Sequence, residues 1–315
     1  MEKGNNTQFK YFLLQGFGEF GDFRFVLITL FLFAYLLTLG GNMLIIFVIY
    51  SHANLHTPMY YFITHLSLLE MWYISTTVPK LLSLLLTSDK RISFEFCFAQ
   101  LYMFHGLGIT ECWLLGVMAF DRCNAICKPL KYSAIMHTRR CNQLALICWS
   151  SGFLSSAIPM TLTLKLPFCG PNNINHYFCD LAPLMDLACI DTSLNQTINK
   201  CVICIINLAC LFFIILMYLL IIVSIMKIRS IRGRLKAFST CSSHLTVVVL
   251  FFGTAFIVYV SPKGAHSMDY DKFFALVYAM FIPFLNPFIY SLRNQEVKMA
   301  IKKDFQILLQ YIFLR

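Results

Sequence analysis

Two glutamates stand where carboxylates are costly. Glu70 lies inside the apolar run Met59 to Leu86, and Glu111 inside the run Phe98 to Phe120. A carboxylate at membrane depth costs several kcal/mol, about 2.5–3.5 on insertion scales. Each should therefore face an interior and serve a purpose there. Two chemistries fit: a site that holds a sodium ion or a proton, or a neutral acid bonded to its neighbours, the form that burial favours. A second pair, Asp121-Arg122, closes the same run as Glu111. An ion pair there can hold a resting state and release its guanidinium on opening; exposed and isolated, such a pair is worth about 0–1 kcal/mol. Of 13 cysteines, Cys97, Cys169, Cys179 and Cys189 fall in segments between apolar runs, where four thiols allow three pairings. The other nine sit in apolar runs or at their ends, the usual place of a small buried residue. No His-Glu-x-x-His, Gly-x-Ser-x-Gly or nucleotide-loop string occurs, so no enzyme is expected. No metal-ligating cluster and no cofactor is implied beyond the ion or proton at Glu70 and Glu111.

The elements that must position these residues are membrane helices. The chain has 315 residues, 58% hydrophobic and 13% charged, with a mean hydropathy of +0.69. That leaves too little polar surface to cover a water-soluble globule. Seven apolar runs are long enough to span: Phe25–Tyr50, Met59–Leu86, Phe98–Phe120, Leu144–Leu164, Cys201–Met226, Ser239–Val260 and Phe273–Leu292. They are too long and continuous for barrel strands, so an all-α seven-helix bundle is expected. Residues 1–24 precede the bundle, 25–292 form it, and 293–315 make a tail. Val297, Ile301, Phe305, Leu308 and Ile312 recur at helical spacing in that tail, predicting an amphipathic interfacial helix. No removable signal peptide is seen.

Charge sets an orientation. Fifteen Lys and Arg fall after runs three, five and seven, against only Asp121, Glu296 and Asp304. The positive-inside rule makes that side cytoplasmic and the N-terminus extracellular. The sequons at Asn5 and Asn195 and the four loop cysteines fall on the other, oxidising side. Anionic lipids of the inner leaflet suffice to explain the basic surface. Nucleic acid is not needed to account for the net charge of +10.

Local strings then point one way. They include Phe12-Leu13-Leu14-Gln15-Gly16-Phe17, Gly41-Asn42, Leu55-His56-Thr57-Pro58-Met59-Tyr60, and Met118-Ala119-Phe120-Asp121-Arg122-Cys123. They continue with Lys236-Ala237-Phe238-Ser239-Thr240-Cys241-Ser242-Ser243-His244 and Pro283-Phe284-Leu285-Asn286-Pro287-Phe288-Ile289-Tyr290. In this order, across essentially the whole chain, they resemble the odorant receptors of the rhodopsin-like G-protein-coupled class, tetrapod-type branch. The chain departs from the family at Phe120, Cys123-Asn124 and Phe252, where Tyr, Tyr-Val and Tyr are usual.

The resemblance carries expectations. A small, largely apolar, volatile ligand binds in the bundle and activates a heterotrimeric G protein of the olfactory or stimulatory type, raising cyclic AMP in olfactory neurons. Asn42, Glu70, Glu111 and Asn286 gather in one polar cavity. Asp121 and Arg122 act as a switch with Tyr218, Lys236, His244, Asn286, Pro287 and Tyr290, where Pro287 permits a kink. Cys97 bonds Cys179, and Cys169 bonds Cys189. The pocket is drawn from one face of span three (Phe104, His105, Gly108, Ile109, Cys112), one of span six (Phe252, Ala255, Phe256, Tyr259) and Val202, Ile203 and Ile206 of span five. Simple packing is the default for Ile109, Cys112 and Ala255, whereas His105 and Tyr259 offer the polar groups that orient a ligand. A transporter or channel using the glutamate pair is the alternative; it lacks an inverted repeat, and ligand-evoked current without G protein would favour it.

Overall fold

The computed structural model describes residues 10–17, 23–87, 89–169, 171–260 and 268–313; side chains at 236, 240, 258–260, 268–271, 291–293, 307–309 and 311–313 are outside the description. Seven long helices form the bundle: α1 (Phe23–Ser51), α2 (Pro58–Leu86), α3 (Phe94–Cys127), α4 (Thr138–Leu164), α5 (Ser193–Met226), α6 (Ile231–Val260) and α7. Helix α7 runs through Met268–Leu276, a π turn at Val277–Phe281, and Ile282–Arg293. An eighth helix, α8 (Gln295–Phe313), follows.

Six of the seven are long and apolar enough to cross a membrane. The exception, α2, is 29 residues long but rich in polar groups. Thr64, Ser67, Glu70 and Thr77 are all buried. A helix whose polar residues face the interior needs no apolar surface all round. Helix α3 is the axle: its apolar stretch is 67% buried, against 28% for α1, α4 and α5, which present most of their surface outward. Several helices extend beyond the apolar runs because polar residues start them. Ser93 caps α3 by accepting the Phe96 amide at 3.2 Å, and His137 caps α4 by accepting that of Arg140 at 3.3 Å.

Two glycines set the helix spacing. A Cβ on Gly152 of α4 would lie 2.0 Å from Thr110 Oγ1 and 2.8 Å from the Gly106 carbonyl of α3. A Cβ on Gly41 of α1 would lie 3.1 Å from Pro287 Cβ of α7.

One end of the bundle carries a small sheet. Strand β1 (Tyr11–Leu14) lies between β2 (Arg91–Ser93), antiparallel, and β3 (Asn173–Ile174), parallel, with Phe12 opposite Ile92 and Leu14 opposite Ile174. The strand period of two turns Phe12 and Leu14 into a core with Phe98, Leu101 and Leu184. Gly16, at φ 65°, turns the chain out of β1 so that Phe17 stacks on Tyr177, centroids 5.0 Å apart. The N-terminal segment is thus partly a docked strand, not only a lead-in to α1. At the opposite, basic end α8 buries Val297 and Ala300, half-buries Ile301 and exposes Lys298 and Lys302, as its spacing predicts; Phe305, expected on the apolar face, is exposed, and the Leu308 and Ile312 side chains are outside the description.

Candidate ligand and switch site

The sheet end is closed by the segment between α4 and α5. Cys97, in the first turn of α3, is bonded to Cys179, with Cα atoms 5.4 Å apart; Cys169 is bonded to Cys189 at 5.5 Å. Gln100 of α3 tightens this closure. Its carbonyl accepts the Cys179 amide at 2.9 Å, and its NH2 donates to the Thr76 carbonyl of α2 at 2.8 Å. His176, Tyr177 and Phe178 fill the space beneath β1, each at most 3% exposed. Burial pushes the His176 imidazole down to about 4, helped by Lys272 and opposed by Asp180. Burial alone would raise Asp180, but the neighbouring imidazoles of His105 and His176 and the Leu181 amide outweigh it and hold the carboxyl below its usual range. His105 Nε2 lies 3.7 Å from Asp180 Oδ1.

Below this plug is a cavity lined by Tyr73, Phe104, His105, Gly108, Ile109, Ile203, Asn207, Phe251, Ala255 and Tyr278. Phe178 packs on Phe104 at 4.7 Å and so roofs it. Six of the expected pocket residues line it: Phe104, His105, Gly108, Ile109, Ile203 and Ala255. The others do not. The Phe256 side chain is 64% exposed on the outer face of α6, so the expected face of that helix is rotated by about one residue. Phe251 takes the inward place, and Phe252 stacks edge-on against it at 5.1 Å. Cys112 lies one turn beyond Gly108, where its carbonyl accepts the Cys210 thiol at 2.9 Å. Val202 and Ile206 are half-buried on α5 outside the lining. The Tyr259 side chain is outside the described residues. Tyr73, Asn207, Phe251 and Tyr278 escaped the sequence reading. Asn207, a lone amide in the apolar run of α5, was the signal available; its NH2 donates to the Ile203 carbonyl at 2.9 Å.

Further toward the basic end lies a buried polar cluster. Asn286 of α7 donates its amide to Glu70 of α2. Glu111 of α3 is within electrostatic reach of Glu70. Glu70 Oε2, Glu111 Oε1, Asn286 Oδ1 and Thr77 Oγ1 have no hydrogen-bond partner among the described residues. Such buried atoms are costly unless something satisfies them, and their carboxylate and carbonyl oxygens suit a small cation or a shared proton. Asn42 is buried on α1, but its amide is spent on the Thr38 carbonyl at 3.0 Å within its own helix.

The switch residues gather at the basic end. Arg122 is 4% exposed and within electrostatic reach of Tyr218, His244 and Tyr290. No ion pair among the described residues joins it to Asp121, contrary to expectation. Consecutive residues on a helix point about 100° apart and do not face each other. Asp121 instead accepts the Tyr132 hydroxyl at 2.8 Å. His244 Nε2–H donates to the Leu115 carbonyl at 3.1 Å, since a carbonyl can only accept. Its Nδ1 is then free to accept the Tyr218 hydroxyl at 2.8 Å. This pins α5 and α6 to α3. Pro287 lies in α7 against Gly41, and the Tyr290 hydroxyl has no partner among the described residues. The Lys236 side chain and all of Asn5 are outside the description. Asn195 sits in the first turn of α5, half-buried, its amide 3.4 Å from the Leu162 carbonyl.

Comparison with known proteins agrees with this architecture. The olfactory receptor family model matches residues 31–309. Human olfactory receptor 6N1 is 44% identical over 97% of this chain and 98% of its own length. Human olfactory receptor 2A12 is 46% identical over 96% and 97%. Rat olfactory receptor 226 is 43% identical over 98% and 95%. Among solved structures, squid rhodopsin superposes with a TM-score of 0.73 at 16% identity, covering 91% of this chain and 82% of that one. The chain is a member of the olfactory receptor family, built on the seven-helix fold of rhodopsin.

Proposed function

We propose that this chain is an odorant-sensing receptor that takes a small, largely apolar ligand into the cavity between α3, α5, α6 and α7 and passes the signal to a heterotrimeric G protein. The observation that carries the reading is the stacking of three features along the bundle: an apolar cavity with a few polar groups, a buried carboxylate cluster, and a hydrogen-bonded Tyr218–His244 latch beside Arg122. A ligand that binds one arrangement of this stack better than the other shifts the whole bundle. Phe104, Ile109, Ile203, Phe251 and Ala255 supply the apolar wall, and His105 and Asn207 the polar handles.

The finer features follow from the charge pattern and the resemblance. The sheet end, with its disulfides, is extracellular, and the basic end is cytoplasmic. The G protein is of the olfactory or stimulatory type, cyclic AMP rises, and the receptor works at the plasma membrane of olfactory cilia. Glu70 and Glu111 hold a sodium ion or share a proton. The pocket is tested by Ala255→Trp, which fills the cavity without touching the switch. Odorant responses should vanish at unchanged surface level; a preserved dose–response would place the ligand elsewhere.

A further inference from the structure

Tyr278 stands where the cavity meets an irregular turn. Residues Val277–Phe281 form the π turn of α7. Such turns carry one extra residue in an otherwise α-helical run and are found often at functional sites. The Tyr278 ring reaches between three other helices, 5.7 Å from Tyr73 of α2, 6.3 Å from Phe104 of α3 and 5.5 Å from Phe251 of α6. Across from it is Gly108. A Cβ there would lie 3.1 Å from the Tyr278 hydroxyl, closer than nearly all real Cβ contacts. The hydroxyl fills space that only a glycine leaves.

The cavity is small, about 20 Å³, room for about one water molecule. Any odorant must therefore move a wall. Tyr73, Phe104 and Phe251 are at most 4% exposed and stand on regular α-helix. Tyr278 stands on the π turn, which can relax to α-helix by passing its extra residue along the chain. One residue of register turns the helix beyond it by about 100°. The inward residues that follow are Ile282, Asn286 and Tyr290, which reach the carboxylate cluster and the neighbourhood of Arg122.

We propose that Tyr278 is the residue through which cavity occupancy is sensed: ligand lifts its ring away from Gly108, the π turn relaxes, and the half of α7 that carries Asn286 and Tyr290 rotates. This rests on the ligand-cavity reading above. It also makes Gly108 and Tyr278 a matched pair, in which bulk added at one position is relieved at the other.

The test uses the full-length purified receptor with a fluorine tag on Phe238→Cys, a 57% exposed site on α6, after replacing the exposed Cys201 by Ala. Without any ligand, Gly108→Ala should raise the minor-state resonance about tenfold. Adding Tyr278→Phe should return it to the wild-type level. A merely structural role would lower thermal stability without moving the resonance populations. Spectra of Gly108→Ala identical to wild type overturn the proposal. If Gly108→Ala does not fold, Tyr278→Leu, which removes the ring and adds nothing, is read the same way: a raised minor state supports the proposal and an unchanged one overturns it. The readout needs neither odorant nor G protein. Its failure is therefore distinct from failure of the receptor reading, which the cyclic AMP response of the wild type decides.

Discussion

His176 sits neutral in the plug above the cavity, 3% exposed, with Asp180 and Lys272 as its charged neighbours. Its folded pKa of about 4 lies below the unfolded value of 6.5. The unfolded chain therefore binds the proton more tightly. The stability this group contributes is whole above about 6.5 and is lost as pH falls toward about 4. The limiting loss is about 3 kcal/mol for a shift of this size. The thermal midpoint of the purified receptor should drop across that window, and His176→Phe should flatten the drop; an equal drop in the variant would show that other groups govern it. At this scale the sequence exposed chemistry better than direction. Glu70 and Glu111 stood out because ionisable groups are rare in apolar runs. Tyr73, Phe251 and Tyr278 did not, because an aromatic in an apolar run looks the same facing lipid or cavity. The same ambiguity put Phe256 inward and left Phe251 out.

At the scale of elements, α3 and α4 pack backbone to backbone. A methyl on Gly152 would meet Thr110 Oγ1 at 2.0 Å and the Thr110 amide nitrogen at 2.9 Å. Backbone cannot rotate away, so the helices must separate. Gly152→Ala should cost about 1–3 kcal/mol, the usual range for overpacking, or more. A thermal-stability or surface-expression measurement checks this, and a neutral result would mean that the helices slide apart freely. The helices themselves were legible, since a run of about 20 apolar residues has few other fates. Their outer turns were not, because those turns are polar and are specified by caps such as Ser93 and His137. Strand β1 was not legible either. Four residues, Tyr11–Leu14, carry too little pattern, and only their pairing with Arg91–Ser93 and Asn173–Ile174, far along the chain, makes them a strand.

At the scale of the whole molecule, the proposed odorant cavity at the sheet end is linked to the switch at the basic end by one helix bundle in which Tyr278 is the wall that moves. The fold and family could be read from seven apolar runs and a set of ordered strings. The vertical arrangement could not, because it depends on which face each helix turns inward, and on bonds such as Asn286 to Glu70 and Tyr218 to His244 that join distant parts of the chain. The most direct test is cyclic AMP in cells that co-express this chain and the olfactory G protein, with a panel of volatile compounds applied and surface level counted in parallel. At least one volatile should raise cyclic AMP, and Arg122→Ala should abolish the rise at equal surface level. A response that survives Arg122→Ala at equal surface level would contradict the proposed switch.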